Sequence, residues 1–169
     1  GTTEIDTVIP RPIAKPFEPM QPMDASSNKM IEAPKVWDSR YTGKGQLIAI
    51  IDSGANPNHE VFQTIPDDGL KIPSKEELES LKRGRNIAVS ANFFSKKIPY
   101  GYNYADHTIG IKESNNASHG MHVAGITAAN SDKLKGVAPD AQLAIMRVFG
   151  EAGLFGSGGT THEIYNNAL

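Results

Sequence analysis

Residues 116–125 read "NASHGMHVAG" and place His119 and His122 three positions apart among very small side chains. Imidazole changes charge near neutral pH, so such a pair could ligate a metal, sit satisfied in a core, or move protons. A metal site needs a further ligand and an acid placed as base, as in H-E-x-x-H. Here Gly120 and Met121 intervene, and a spacing of three splays the two rings around a helix, which disfavours zinc. His122, one turn inside a helix of small residues, fits a core histidine bonded to a backbone carbonyl. His119 differs because it would open that helix, after the short polar residues Asn116 to Ser118.

An acid to pair with His119 stands upstream in "GKGQLIAIIDSG", where Asp52 follows the apolar run Leu47 to Ile51. A carboxylate that orients an imidazole, and an imidazole that takes a proton from a hydroxyl, are two thirds of a nucleophilic triad. A second chemistry uses the same acid: Asp52 as a phosphoryl acceptor with "GSGG", residues 156–159, as phosphate cradle. Against it, Gly54 occupies the place where such hydrolases carry a second aspartate, and no G-x-x-x-x-G-K-[ST] motif is present.

The elements that must position these residues follow from periodicity. Leu47 to Ile51 is continuously apolar and flanked by glycines, the pattern of a strand covered on both faces in a parallel α/β sheet. Asp52 would then project from its carboxyl end, where open α/β sheets hold ligands. A helix is predicted to start at about His119, with His119, His122, Val123 and Ile126 along one face. Gly120, Ala124, Gly125 and Ala128 would admit a close neighbouring backbone. After "GVAPD", residues Gln142 to Phe149 read as a second buried strand, followed by an exposed edge at "GLFGSGG". A further helix opens at "TTHEIYNNAL", with Thr160 and Glu163 as its capping box. It is cut after little more than two turns, so a remainder is expected outside this sequence.

Elsewhere the chain reads as scaffold. Prolines at 10, 12, 16, 19 and 22 forbid helix and central strand, so residues 1–29 are expected to be an extended arm. Regular structure should begin near "IEAPKVWDSRY", with Pro34 in the first turn of a short helix and Trp37 burying a large face. Residues 61–113 read as an elaborated surface insertion. Inside it, "PSKEELESLKRG" has a Ser74–Glu77 capping box and Gly84 as a stop, and "KKIPYGYNYADH" gives a strand and turn with Tyr100, Tyr102 and Tyr104 on one side.

Composition narrows the classes. With 169 residues, 38% of them apolar, the chain can bury one core and no more than one ordinary domain. A net charge of -2 with interspersed signs provides no basic stripe, so nucleic acid is not an expected partner. No apolar run approaches membrane-spanning length, and "GTTEID" lacks the regions of a signal peptide. The absence of cysteine excludes disulfides and thiolate chemistry and leaves the compartment open.

Three motifs, "GKGQLIAIIDSGANPNHEVF", "SHGMHVAGITAAN" and "GVAPDAQLAIMRVFG", occur in an order and context that resembles the subtilisin-like serine proteases over about residues 30–169. "PYGYNYAD" and "HGMHVAGI" are most similar to the cell-envelope proteinases of Gram-positive bacteria, the lactocepin and complement-peptide-cleaving group. The resemblance implies a three-layer α/β sandwich with a central, mostly parallel sheet, incomplete in this chain, and an extracellular or wall-attached endopeptidase. It implies that Asp52 is the triad aspartate, His119 the general base and His122 structural, with Ser53 and Gly54 as support. It also implies that Gly156, Ser157 and Gly158 pair with extended substrate backbone and that Phe149 lines a side-chain pocket.

The same resemblance implies a nucleophilic serine and an oxyanion-hole asparagine beyond the helix at which these residues stop. Ser53, Ser118 and Ser157 already have other places in the motifs, so the chain alone is expected to be inactive and to need a carboxyl-terminal portion as partner. A peptide-binding assembly without the serine is the remaining reading. No cofactor is expected, and calcium would have to bind elsewhere than the family's usual site: "ITAANSDKLK" is shorter than the family's calcium loop, and Val61 stands where a ligand acid would be.

Overall fold

The computed structural model describes residues 25–85, 90–112 and 118–150. Two short helices come first, α1 (Ala25–Met30) and α2 (Ala33–Asp38), followed by strand β1 (Leu47–Asp52), a 3-10 turn at Glu60–Phe62 and helix α3 (Lys75–Arg85). Strand β2 (Tyr100–Asn103), helix α4 (His119–Ala128) and strand β3 (Gln142–Arg147) complete the order. The strands form one sheet, β1-β3-β2, with both pairings parallel.

The apolar centre of the sequence becomes the centre of the sheet. In β3, Leu143 and Ile145 are fully buried and pack with Ile50 of β1, Ala124 and Ala128 of α4, and Phe62, Ile98 and Ile111. Ala144 turns to the other face, against Tyr100, Ile72, Ala91 and Leu78 of α3. Successive strand residues face opposite ways, so a run without polar interruptions is what two covered faces require. Burying each such branched side chain stabilises the fold by about 1.5–3 kcal/mol before entropy is counted.

Coverage on both faces holds for β3 but not for β1, where only Ile50 is buried and Leu47 is 38% exposed. Among the described residues β1 lies at the sheet edge while β3 is central.

Three further expectations change. Residues 61–113 are not merely surface, because besides the expected strand β2 they supply the fully buried Phe62, Ile98 and Ile111. Its hydrophilic helix α3 disguised that contribution, although Leu78 is itself buried. Regular structure also begins earlier than expected, with α1 at Ala25, inside the range assigned to the arm. Asn28 anchors α1 by donating to the Lys135 carbonyl (2.5 Å). Trp37 is half-buried rather than buried; its Nε1–H donates to the Val137 carbonyl (2.9 Å), and Lys135 lies over its ring. Pro34 does lie in the first turn of α2.

Local signals elsewhere act as read. Ser74 Oγ accepts from the Glu77 N–H (3.3 Å) at the start of α3, although Gly84 lies within that helix instead of ending it. Tyr100 and Tyr104 share a hydroxyl–hydroxyl bond (2.7 Å), and Tyr102 meets Tyr104 edge to face. No helix among the described residues is long and apolar enough to cross a membrane.

Candidate active site

Parallel register brings the carboxyl ends of all three strands to one level. Asp52 of β1 is opposite Arg147 of β3, and Arg147 is opposite Asn103 of β2. Beyond Asp52 the chain turns sharply through Gly54, whose φ is 111°. A Cβ there would lie 2.3 Å from the Ile111 carbonyl oxygen. Both backbone angle and space therefore demand glycine. The next residue completes the stitch, with the Ala55 N–H donating to that same carbonyl (2.8 Å).

Helix α4 delivers the imidazole to this turn. Its buried residues are Gly120, Ala124, Gly125 and Ala128, the small residues expected to allow close packing, which leaves His119 toward the crevice. The tightest approach is made by Gly136, however, where a Cβ would meet the Ala128 and Ala129 backbone nitrogens at 2.6 and 2.7 Å. At Gly125 the nearest neighbour would be 3.9 Å away.

The helix start is capped from another element. Ser118 makes no side-chain cap bond; instead Ser53 Oγ accepts from the Gly120 N–H (2.9 Å). An N-terminal N–H of a helix lacks an intrahelical partner, so this bond satisfies a donor and fixes His119 relative to Asp52 in one step. Ser53 is only 5% exposed, which shields that bond from water.

His119 Nδ1 lies 2.8 and 2.9 Å from the two Asp52 carboxylate oxygens. Asp52 Oδ1 also accepts from the Ser53 N–H (2.7 Å). A carboxylate only accepts, so Nδ1 carries the proton and donates, which in a neutral imidazole puts the basic lone pair on Nε2. The two side chains differ in exposure, Asp52 at 13% and His119 at 66%. One end of the imidazole is thus held by a shielded anion while the ring faces solvent, an arrangement suited to taking and returning a proton.

The remaining predicted site residues divide. His122 is half-buried rather than enclosed, and its backbone N–H makes the helical bond to the Ser118 carbonyl (3.0 Å). Phe149 is half-buried against Tyr104, Val148, Ile51 and Met146. Val61 is buried, and its carbonyl accepts from the Asn130 N–H (2.8 Å). Gly156, Ser157, Gly158 and the helix opening at Thr160 lie outside the described residues. Among those described, no cluster of three or more His, Asp or Glu residues could hold a metal ion. Arg147, which no motif singled out, is buried in the row beside Asp52.

Residues 43–169 match the profile of the Subtilase family. The chain belongs to the subtilase family. Among the relatives of this subtilase, the PI-, PII- and PIII-type proteinases of Lactococcus lactis subsp. cremoris are 38% identical over 136 residues, 76% of this chain and 7% of theirs. The C5a peptidase of Streptococcus pyogenes serotype M3 is 33% identical over 113 residues, 63% of this chain and 9% of that protein. The chain thus spans less than a tenth of the length of these relatives. Among solved structures, the CspB protease of Clostridium perfringens superposes with a TM-score of 0.53 at 21% identity, covering 85% of this chain and 29% of that one, a likeness of fold.

Proposed function

We propose that this subtilase chain is the amino-terminal part of the catalytic domain of a serine endopeptidase, with Asp52 and His119 as two members of its triad. The observation that carries the reading is the bond from His119 Nδ1 to the Asp52 carboxylate, 2.8 Å across 67 positions of sequence. In this reading His119 Nε2 removes the proton of a serine hydroxyl as that oxygen attacks a peptide carbonyl, then donates it to the leaving amine. Asp52 holds the required tautomer and stabilises the imidazolium formed in between.

The serine and the oxyanion donor would come from a portion of the protein beyond these 169 residues. Residues 30–169 would form the first part of the domain and residues 1–29 an arm joined to it. An extended substrate would pair with Gly156 to Gly158, and Phe149 would border a side-chain pocket. The proteinases and peptidase among the relatives support action on proteins or peptides, and the protein would act outside the cell or attached to the wall. No cofactor enters the reaction.

Phosphoryl transfer from Asp52 is the weaker reading, because both carboxylate oxygens are engaged by His119. The test is hydrolysis of a casein or peptide substrate by the complete protein and its Asp52→Ala and His119→Ala variants. A loss of about four orders of magnitude or more in kcat is expected. Retained peptidase activity in either variant would overturn the assignment, and a complete protein without peptidase activity would point to the peptide-binding assembly.

A further inference from the structure

The row beside Asp52 contains a side chain that the proton-transfer scheme does not use. Arg147 ends the central strand, is 2% exposed, and lies opposite Asp52 in the β1–β3 register. Its side chain runs beneath the turn after Asp52, since its Cδ would be 3.2 Å from a Cβ built on Gly54. Nη1 donates to the Lys112 carbonyl (2.8 Å), with the Gly110 carbonyl at 3.5 Å, and Nε donates to the Phe149 carbonyl (2.8 Å).

Each carbonyl belongs to a segment that matters. Gly110 and Lys112 flank Ile111, whose carbonyl holds Ala55 three residues after Asp52. Lys112 also begins the connection to His119, and Phe149 precedes the stretch that contains Gly156 to Gly158. One planar guanidinium therefore joins the β1 turn, the approach to α4 and the exit of β3. A guanidinium can do this because its N–H groups are fixed in a fork; an ammonium on a flexible stem is a single point donor.

We propose that Arg147 is a positioning residue for proton transfer, setting the distance between Asp52 and His119 and the height of the exit of β3 above them. It acts through the Ile111–Ala55 stitch and the Ser53–Gly120 cap, and it touches no reacting atom. The proposal rests on the triad reading of Asp52 and His119 for its catalytic consequence, while its geometric content, that Arg147 sets the Asp52–His119 pair, stands apart from it. A shift of about 1 Å in such a pair is sufficient for roughly a 10²-fold loss of rate.

The experiment uses the complete protein with Arg147→Met and Arg147→Lys. Three quantities are read on each: kcat and KM on a peptide substrate, the pH profile of kcat/KM, and the pH profile of diethyl pyrocarbonate labelling at His119, followed by mass spectrometry. Arg147→Met is expected to lower kcat roughly 10²-fold and to displace the His119 labelling profile from that of the unaltered protein. Arg147→Lys, which keeps charge but not the fork, is expected to fall between them, and it replaces Arg147→Met if the latter does not fold. Variants that fold yet keep kcat, KM and both pH profiles would overturn the proposal, whatever their melting temperature. If Asp52→Ala and His119→Ala prove fully active, the peptidase reading fails separately. The labelling profile still decides whether Arg147 sets the pair.

Discussion

The two ends of the sheet use buried polar groups in opposite ways. At the amino end, Gln142 is 1% exposed and its amide is fully engaged: Oε1 accepts from the Lys71 and Ile72 N–H groups, and Nε2 donates to the Ile72 and Lys96 carbonyls. Lys97 next to it, also 1% exposed, donates to the Pro139 carbonyl (2.6 Å). At the carboxyl end, Asp52 is partly sheltered, at 13% exposed, while its partner His119 is 66% exposed. A polar cluster closed on itself joins loops to strands. One sheltered on one side and exposed to solvent on the other can exchange protons with something that arrives. The difference teaches where chemistry can reside on a sheet whose two ends are equally polar.

The comparison predicts that changes at the open end alter rate and changes at the closed end alter stability. The largest effect is expected from Asp52→Asn in the complete protein, which keeps the shape but turns His119 to the wrong tautomer: about 10⁴-fold in kcat, read by peptide hydrolysis, with the melting temperature little changed. Next is Gln142→Leu, which leaves the Lys71 and Ile72 N–H groups and two carbonyls without this partner. A loss of about 3–5 kcal/mol by denaturant unfolding is expected, with kcat per folded molecule retained. Gly54→Ala should break the separation, costing about 2–4 kcal/mol through the clash with the Ile111 carbonyl and lowering kcat as well, because that strain falls on the turn after Asp52.

The smallest effect concerns pH. Burial pushes the Lys97 ammonium down to about 8, with Asp140 partly opposing it. Below pH 8 both folded and unfolded chains hold this proton and the full desolvation cost is present. Between about 8 and 10.5 only the unfolded chain holds it, so stability rises with pH. Burial raises Tyr100 and Tyr104 above the usual phenol range, and their contribution falls as pH rises past 10, which leaves pH 8–10 as the clean window. A gain on the order of 2 kcal/mol across that window, absent in Lys97→Met, is expected from unfolding curves.

Much of the open end was legible because its signals are local. A continuous apolar run ending in Asp52 gives a strand with an acid at its tip, and small residues after His119 give a helix that packs closely. The edge position of β1 among the described residues was not legible, since an apolar run looks the same at an edge and at a centre. β2 was legible as the strand in "KKIPYGYNYADH", but the buried Phe62, Ile98 and Ile111 were hidden in a region whose charged helix α3 suggests surface, and α1 was hidden by its polar composition, "ASSNKM". Gln142 and Arg147 were invisible for a common reason. A polar residue at a strand terminus ordinarily meets water, and only the register across β1, β3 and β2 shows that these two do not. Ser53 was read as support, but its capping of a helix 67 positions away emerges only from the folded geometry.

The central claim is that His119, oriented by Asp52, activates a serine supplied by the rest of the protein. It is tested most directly by the second-order rate of fluorophosphonate labelling of that serine in the complete protein and in its His119→Ala variant. The account predicts a fall of at least about 10³-fold at an unchanged melting temperature. Equal labelling rates in the two proteins would contradict it.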